Sequence, residues 1–266
     1  MKKTFAIAAL MAASQAGFAA LLFDVDFNND TVGNAPSLAA YVAGTTSTKP
    51  TNLYTSGSDV ATVVSSLGAL TDQPLQCVNT ADNNGYPNLL LRGGGVTTGT
   101  VRLEWDTLVS SHTLPTGGGA ETIAAFYMKS NVGGGIFAVT LTALNTTTGT
   151  LGTVWGQPGQ AYDTGANLSW TVGTVNHFQV DLNLDAAKYS VWLNGNQVAT
   201  NRTLASAGFG NYSMLDIKDG AGVGGSDGTS TYGLDNILIQ TVVPEPATLG
   251  LIGLGLAAWG MRRRRS

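Results

Sequence analysis

From residue 21 onward, apolar and polar positions alternate along the chain with a period of two. Phe23, Val25 and Phe27 interleave with Asp24, Asp26 and Asn28. Phe178, Val180, Leu182 and Leu184 interleave with Gln179, Asp181, Asn183 and Asp185, and Tyr189, Val191 and Leu193 continue the rule. A strand sends successive side chains to opposite faces, so this pattern predicts strands with one face buried. Segments 122–128 and 136–144 are apolar and β-prone, and Gly133, Gly134 and Gly135 between them predict a hairpin turn. Asn194-Gly195 is the strongest hairpin signal in the chain, because a type I′ turn needs positive φ at both central residues. Helical periodicity of useful length is absent, and the best candidate for a helical turn is Val60 to Leu67. Residues 222–230 read as a loop before a last strand from Tyr232 to Thr241. Roughly twelve to fourteen strands are expected, arranged as one all-β antiparallel two-sheet sandwich over residues 20–242.

Composition supports this reading. Only 11% of residues are charged while Gly alone supplies 35, a mix that disfavours helix interiors and suits tight turns. Six basic residues sit at the extreme ends: Lys2, Lys3 and Arg262 to Arg265. The body between them keeps seven basic residues against sixteen acidic ones, a net charge near −9. That balance excludes nucleic acid as a partner, since phosphate binding needs clustered cations. Cys77 is the single cysteine, so no intrachain disulfide forms, and a small buried hydrophobe is its expected role.

The ends read as delivery signals. Met1-Lys2-Lys3, an apolar run from Phe5 to Ala13, and the small-residue zone up to Ala20 predict a signal peptide of residues 1–19, with Gly17 and Ala19 placed for cleavage. At the other end, Pro244-Glu245-Pro246 precedes an apolar span from Ala247 to Met261 and the cluster Arg262, Arg263, Arg264 and Arg265. As a helix that span is about 22 Å long, short of the roughly 30 Å of a hydrocarbon core. It is expected to hold the membrane as a short transmembrane helix, with the arginines on the cytoplasmic side. The prolines flanking Glu245 predict an extended, accessible peptide.

Residues 243–266, with this motif, span and arginine cluster in order, closely resemble the PEP-CTERM sorting signal. The resemblance implies an exosortase as partner, processing near Pro244-Glu245-Pro246, transient anchoring in the inner membrane, and delivery to the cell surface or extracellular matrix of a Gram-negative bacterium that makes exopolysaccharide. The stretch Val175 to Asp185 followed by Lys188 to Gly195 resembles paired strands of laminin-G-like and concanavalin A-like jelly rolls. The segments Phe23 to Pro36 and Tyr232 to Ile239 resemble their first and last strands.

Catalytic chemistry is thinly represented. The histidines are His112 and His177, and neither a Gly-x-Ser-x-Gly elbow nor a His-Glu-x-x-His motif occurs. A glycosidase needs two carboxylates on one groove, and the body's glutamates are Glu104 and Glu121 alone. The expectation is therefore a non-catalytic domain that binds glycan or serves structurally in the exopolysaccharide layer. An exported polysaccharide-active hydrolase or lyase on the same fold is the alternative. Asp26 and Asp235, in the first and last strands, match loosely the ligands of a structural calcium ion in such jelly rolls; an Asp before Asn in a turn also caps its own backbone. Trp192, out of phase with Tyr189, Val191 and Leu193, is the candidate glycan platform.

Overall fold

The structure is a computed structural model. It describes residues 19–39, 47–55, 59–80, 88–114, 121–130, 135–143, 145, 147–154, 163–204, 212–218 and 229–242. The signal-peptide segment up to residue 18 and the sorting tail from residue 243 lie outside the described residues. So does most of the expected loop at 222–230.

Fifteen strands make up the described chain: β1 (Leu21–Val25), β2 (Asn52–Tyr54), β3 (Val60–Val63), β4 (Leu75–Asn79), β5 (Asn88–Val96), β6 (Thr100–His112), β7 (Glu121–Ser130), β8 (Gly135–Ala143), β9 (Thr148–Val154), β10 (Asp163–Thr171), β11 (Val175–Asn183), β12 (Lys188–Leu193), β13 (Asn196–Thr203), β14 (Tyr212–Lys218) and β15 (Ser230–Val242). They form two antiparallel sheets. The first runs β13-β12-β11-β6-β15-β4-β3, with β1 also on β15, and the second runs β10-β9-β8-β7-β14-β5-β2. The expected helical turn at Val60 to Leu67 is corrected: Val60–Val63 is a strand paired residue for residue with β4. Two β-branched valines favour that pairing over a helical turn.

The two inner faces meet in one core. Trp105 of β6 stacks on Phe178 of β11 at 5.0 Å between ring centroids. It also lies 5.2 Å from Phe126 of β7, in the opposite sheet. Leu89, Leu91, Leu103, Val180, Val191, Tyr232 and Ile239 complete the same cluster, all buried. The period-two apolar positions of β11 and β12 are the buried ones. The architecture is thus an all-β sandwich of jelly-roll type. The expected first and last strands pair, β1 with β15. Ala20 is tied in as well: its N–H donates to Thr241 Oγ1 at 2.7 Å, and its carbonyl accepts from the Thr241 N–H at 2.9 Å.

The Asn194-Gly195 turn is as expected, with φ of 51° and 78°. It joins β12 to β13, and Asn194 Oδ1 accepts the His177 N–H at 2.8 Å. An L side chain in the left-handed region costs about 1–2 kcal/mol. Gly195→Val is expected to lower stability by about that amount, read as an earlier urea midpoint with an unchanged slope.

Candidate functional site

Two surfaces carry chemistry. The first is the outer face of the first sheet, where the polar half of each alternating strand is gathered. Register places His177 opposite Asp106, Gln179 opposite Glu104 and Asp181 opposite Arg102. Arg102 donates through Nε and Nη2 to the two oxygens of Asp181 at 2.7 and 2.8 Å, and Glu104 stands 3.8 Å from its Nε. That hydrogen-bonded pairing raises the Arg102 pKa above its ordinary value, against the pull of partial burial. His177 Nδ1 meets Asp106 Oδ1 at 2.7 Å, and Asp106 Oδ2 accepts from Asn236 Nδ2 at 2.9 Å. The imidazole is thus oriented through one nitrogen, while its side chain stays 44% exposed. Asn236 reaches Asp106 from a left-handed backbone with φ of 51°.

Beside this network, the outward positions of β12 are Lys188, Ser190 and Trp192. They border an open depression of about 180 Å³, lined also by Asp181, Asn183 and Asn201. The candidate platform residue Trp192 is half-buried there. Trp105 and Trp170, by contrast, are core. Trp155 lies outside the described residues.

The second surface is defined by register in the second sheet. Its middle strands β5, β14 and β7 align in rows. Leu89, Ile217 and Phe126 form one row, and Leu91, Leu215 and Met128 another. Leu89, Leu91 and Phe126 are buried in the core, so these are core rows. The rows that alternate with them hold Asn88, Lys218 and Ala125, then Leu90, Asp216 and Tyr127, then Arg92, Met214 and Lys129, and Leu90 among them is also buried. Three of the body's seven cations, Arg92, Lys129 and Lys218, therefore stand on alternate rows of three adjacent strands. Their alignment is not visible along the chain, because only long-range pairing brings these strands together.

The two glutamates do not meet. Glu104 is on β6 of the first sheet and Glu121 on β7 of the second. His112 is buried, its Nε2 donating to the Asn145 carbonyl, and its ring packs edge-on to Trp170 at 5.4 Å.

Asp26 and Asp235 do share an electrostatic neighbourhood. Burial pushes the Asp235 carboxyl up to about 7. The Asn236 N–H donating to it opposes the rise, and the charges of Asp106, Asp72 and Asp26 add to it. Among the described residues, no three His, Cys, Asp or Glu side chains are grouped to hold a metal ion. Asp26 accepts the Asn28 N–H at 3.1 Å and Asn28 Nδ2 at 3.2 Å, the local capping that an Asp before a turn favours.

With the geometry in view, comparison with known proteins adds two findings. Residues 242–265 match the PEP-CTERM protein-sorting motif. The chain therefore carries the signal of an exported, exosortase-processed protein. No curated protein matches the chain. Among solved structures, it is similar to a sialidase at a TM-score of 0.52 and 11% identity, over 72% of this chain and 17% of the sialidase. It is similar to the alginate lyase Aly36B at a TM-score of 0.50 and 13% identity, over 85% of this chain and the whole of that enzyme. It is also similar to a carbohydrate esterase from the Shiga toxin-encoding bacteriophage phi24B, at a TM-score of 0.47 and 13% identity, over 71% of this chain and 90% of the esterase.

One expectation changes accordingly. The body was expected not to be an enzyme; the sialidase and the alginate lyase that share its fold overturn that expectation. The expected transmembrane helix at the C-terminus lies outside the described residues, and among those described no helix is long and apolar enough to cross a membrane.

Proposed function

We propose that the body is an exported polysaccharide-active enzyme, a lyase that cleaves uronate-containing chains by β-elimination. The observation that carries this reading is the row Arg92, Met214, Lys129 beside the row Leu90, Asp216, Tyr127. Hydrolysis by the usual route needs two carboxylates on one groove; Glu104 and Glu121 stand in opposite sheets, and of the carboxylates beside Glu104, Asp181 is clamped on Arg102 and Asp106 is held by His177 and Asn236. Elimination needs different groups. A cation neutralises the uronate carboxylate, a base takes the proton from the adjacent C5, and an acid protonates the glycosidic oxygen leaving C4. The C4–O bond breaks, a C4=C5 double bond forms, and no water is consumed. Arg92 suits the first task, because guanidinium holds carboxylate in a bidentate fork. Lys129 and Tyr127 suit the proton transfers. Arg92 and Lys129 flank β14, two strand spacings of about 4.8 Å apart, which leaves room for one sugar ring. Against the body's overall acidity, the rows that align Arg92, Lys129 and Lys218 are where a polyanion is best received.

Incubation of the full chain with alginate and other polyuronates, with neutral glucans alongside, tests the proposal. Each cleavage is expected to give one product with the ultraviolet absorbance of an unsaturated uronate at its new non-reducing end, lighter by one water than its hydrolytic counterpart. Products of hydrolytic mass would replace the lyase by a hydrolase, and intact polyuronate would reject it.

Delivery places this activity outside the cytoplasm. The hydrogen bonds between Ala20 and Thr241 hold the start of the body against the root of the tail. Cleavage after Ala19 and cutting near Pro244-Glu245-Pro246 thus leave both ends of the sandwich stapled together. In a host with an exosortase, the mature chain is expected to begin at Ala20 and to end near Glu245. Mass spectrometry of the surface protein checks both ends. A chain still ending at Ser266 would make the tail a plain anchor.

A further inference from the structure

We propose that the outer face of the first sheet is a second, non-catalytic glycan site, built around Trp192 and selective for a neutral pyranose. Trp192 occupies the centre of a transverse row. Cross-strand register puts Gln179 on one side of it and Gln197 on the other, with Glu104 beyond Gln179. The next row brings Asp181 opposite Ser190. This indole, the one found on this face among the described residues, is thus surrounded by planar amide and carboxylate groups and a hydroxyl. This is what a sugar ring requires: its C–H face stacks on an aromatic plane, and its hydroxyls pair with amides and carboxylates around the rim.

The local backbone is shaped to open the site. The β12–β13 register shifts between Tyr189 and Val191 and again between Val191 and Trp192. Asn201 adopts a φ of 49°, and its N–H donates to Ser190 Oγ at 3.0 Å. Such irregularities bend a strand and re-aim its side chains. The result is the depression of about 180 Å³ bordered by Trp192, Ser190, Asp181, Asn183 and Asn201, enough for the edge and one face of a single sugar ring.

The charges decide the class of sugar. Arg102 is clamped on Asp181 by two hydrogen bonds. Lys188 Nζ donates to Thr203 Oγ1 at 2.8 Å. Arg102 is neutralised by its partner, and against the charge of Lys188 stand Glu104 and Asp106 on the same face, so the surface is net negative and repels a uronate carboxylate. The face therefore takes a neutral polysaccharide, whereas the basic rows of the second sheet receive a polyanion. The two surfaces are on different sheets, so one chain can be held on a neutral matrix polymer while it works on an acidic one.

Affinity electrophoresis separates this site from the lyase proposal. The full chain in detergent is run through native gels containing a soluble β-glucan, alginate or no polysaccharide. The wild type is expected to be retarded by the β-glucan. Trp192→Ala should weaken that retardation by at least about tenfold, with Gln179→Ala and Gln197→Ala each weakening it less. Trp192→Phe, which keeps a ring, should retain part of it. Arg92→Ala and Lys129→Ala should leave β-glucan retardation unchanged, whatever they do to lyase activity. Absence of retardation in the β-glucan gel, or equal retardation of wild type, Trp192→Ala and Gln179→Ala, overturns the site.

Discussion

Replacing Lys129 with alanine is expected to slow polyuronate cleavage by about a hundredfold to ten-thousandfold, the range that positioned general acid–base groups contribute. The fold should survive the change, because Lys129 lies on a row that alternates with the core rows of Leu91 and Leu89. The melting temperature is therefore expected to stay near that of the parent. Lys129→Arg distinguishes proton transfer from simple charge. Guanidinium keeps the positive charge but does not give up its proton in this pH range. The arginine variant should thus bind polyuronate and remain slow. Arg92→Ala should behave differently, raising KM as well as lowering kcat, because a group that holds the carboxylate acts in both ground and transition states. Tyr127→Phe removes only a hydroxyl and should lower kcat with little change in KM. Rates of unsaturated-uronate formation measured over a series of substrate concentrations decide these cases. A Lys129→Ala chain with the parent's kcat would remove the row from the mechanism.

The parts of the molecule that could be read in advance are those specified by neighbours in the chain. The alternation at Phe178 to Leu184 returns as the buried half of β11, and Asn194-Gly195 makes its hairpin, since both depend on local periodicity and local φ. The strands at Phe23 and at Tyr232 to Ile239 were also legible, whereas their pairing with each other is a matter of long-range register. Val60 to Leu67 misled, because a short apolar run has no period long enough to separate helix from strand, and pairing with β4 settled it. The basic rows could not be found this way. Arg92, Lys129 and Lys218 come from three strands separated by long stretches of chain, and only non-local register aligns them. Nor could the His177–Asp106–Asn236 chain be found, though its ingredients are visible. The repeats Arg102-x-Glu104-x-Asp106 and His177-x-Gln179-x-Asp181 are polar at every second position. A pattern of that kind says that one face is polar, and the antiparallel pairing of β6 with β11 says which residue meets which.

A buried acid should make this protein less stable as pH rises, the reverse of the common case. Asp235 is 2% exposed, and its carboxyl is pushed up to about 7 from an ordinary value of 3.8, chiefly by burial. It lies directly across the β6–β15 ladder from Asp106, whose charge is already held by His177 and Asn236. Two like charges opposite each other in a ladder oppose pairing. Below about pH 4 both folded and unfolded chains carry the Asp235 proton, and this group does not bias folding. Between about 4 and 7 the unfolded chain releases the proton while the folded chain keeps it. The folded state then binds more protons, so stability falls with rising pH across that window and levels off above it. The loss is on the order of 2–4 kcal/mol. Asp235→Asn keeps an oxygen to accept the Asn236 N–H, which donates at 2.9 Å in the parent, and carries no charge at any pH. The variant is therefore expected to be more stable than the parent at pH 8 by on the order of 2 kcal/mol, and about equal to it at pH 4. Urea unfolding of both chains at the two pH values measures the difference. A parent whose stability rises from pH 4 to pH 8 in step with the asparagine variant would show that Asp235 ionises freely in the fold. The Asp106 pairing across the ladder would then carry no penalty.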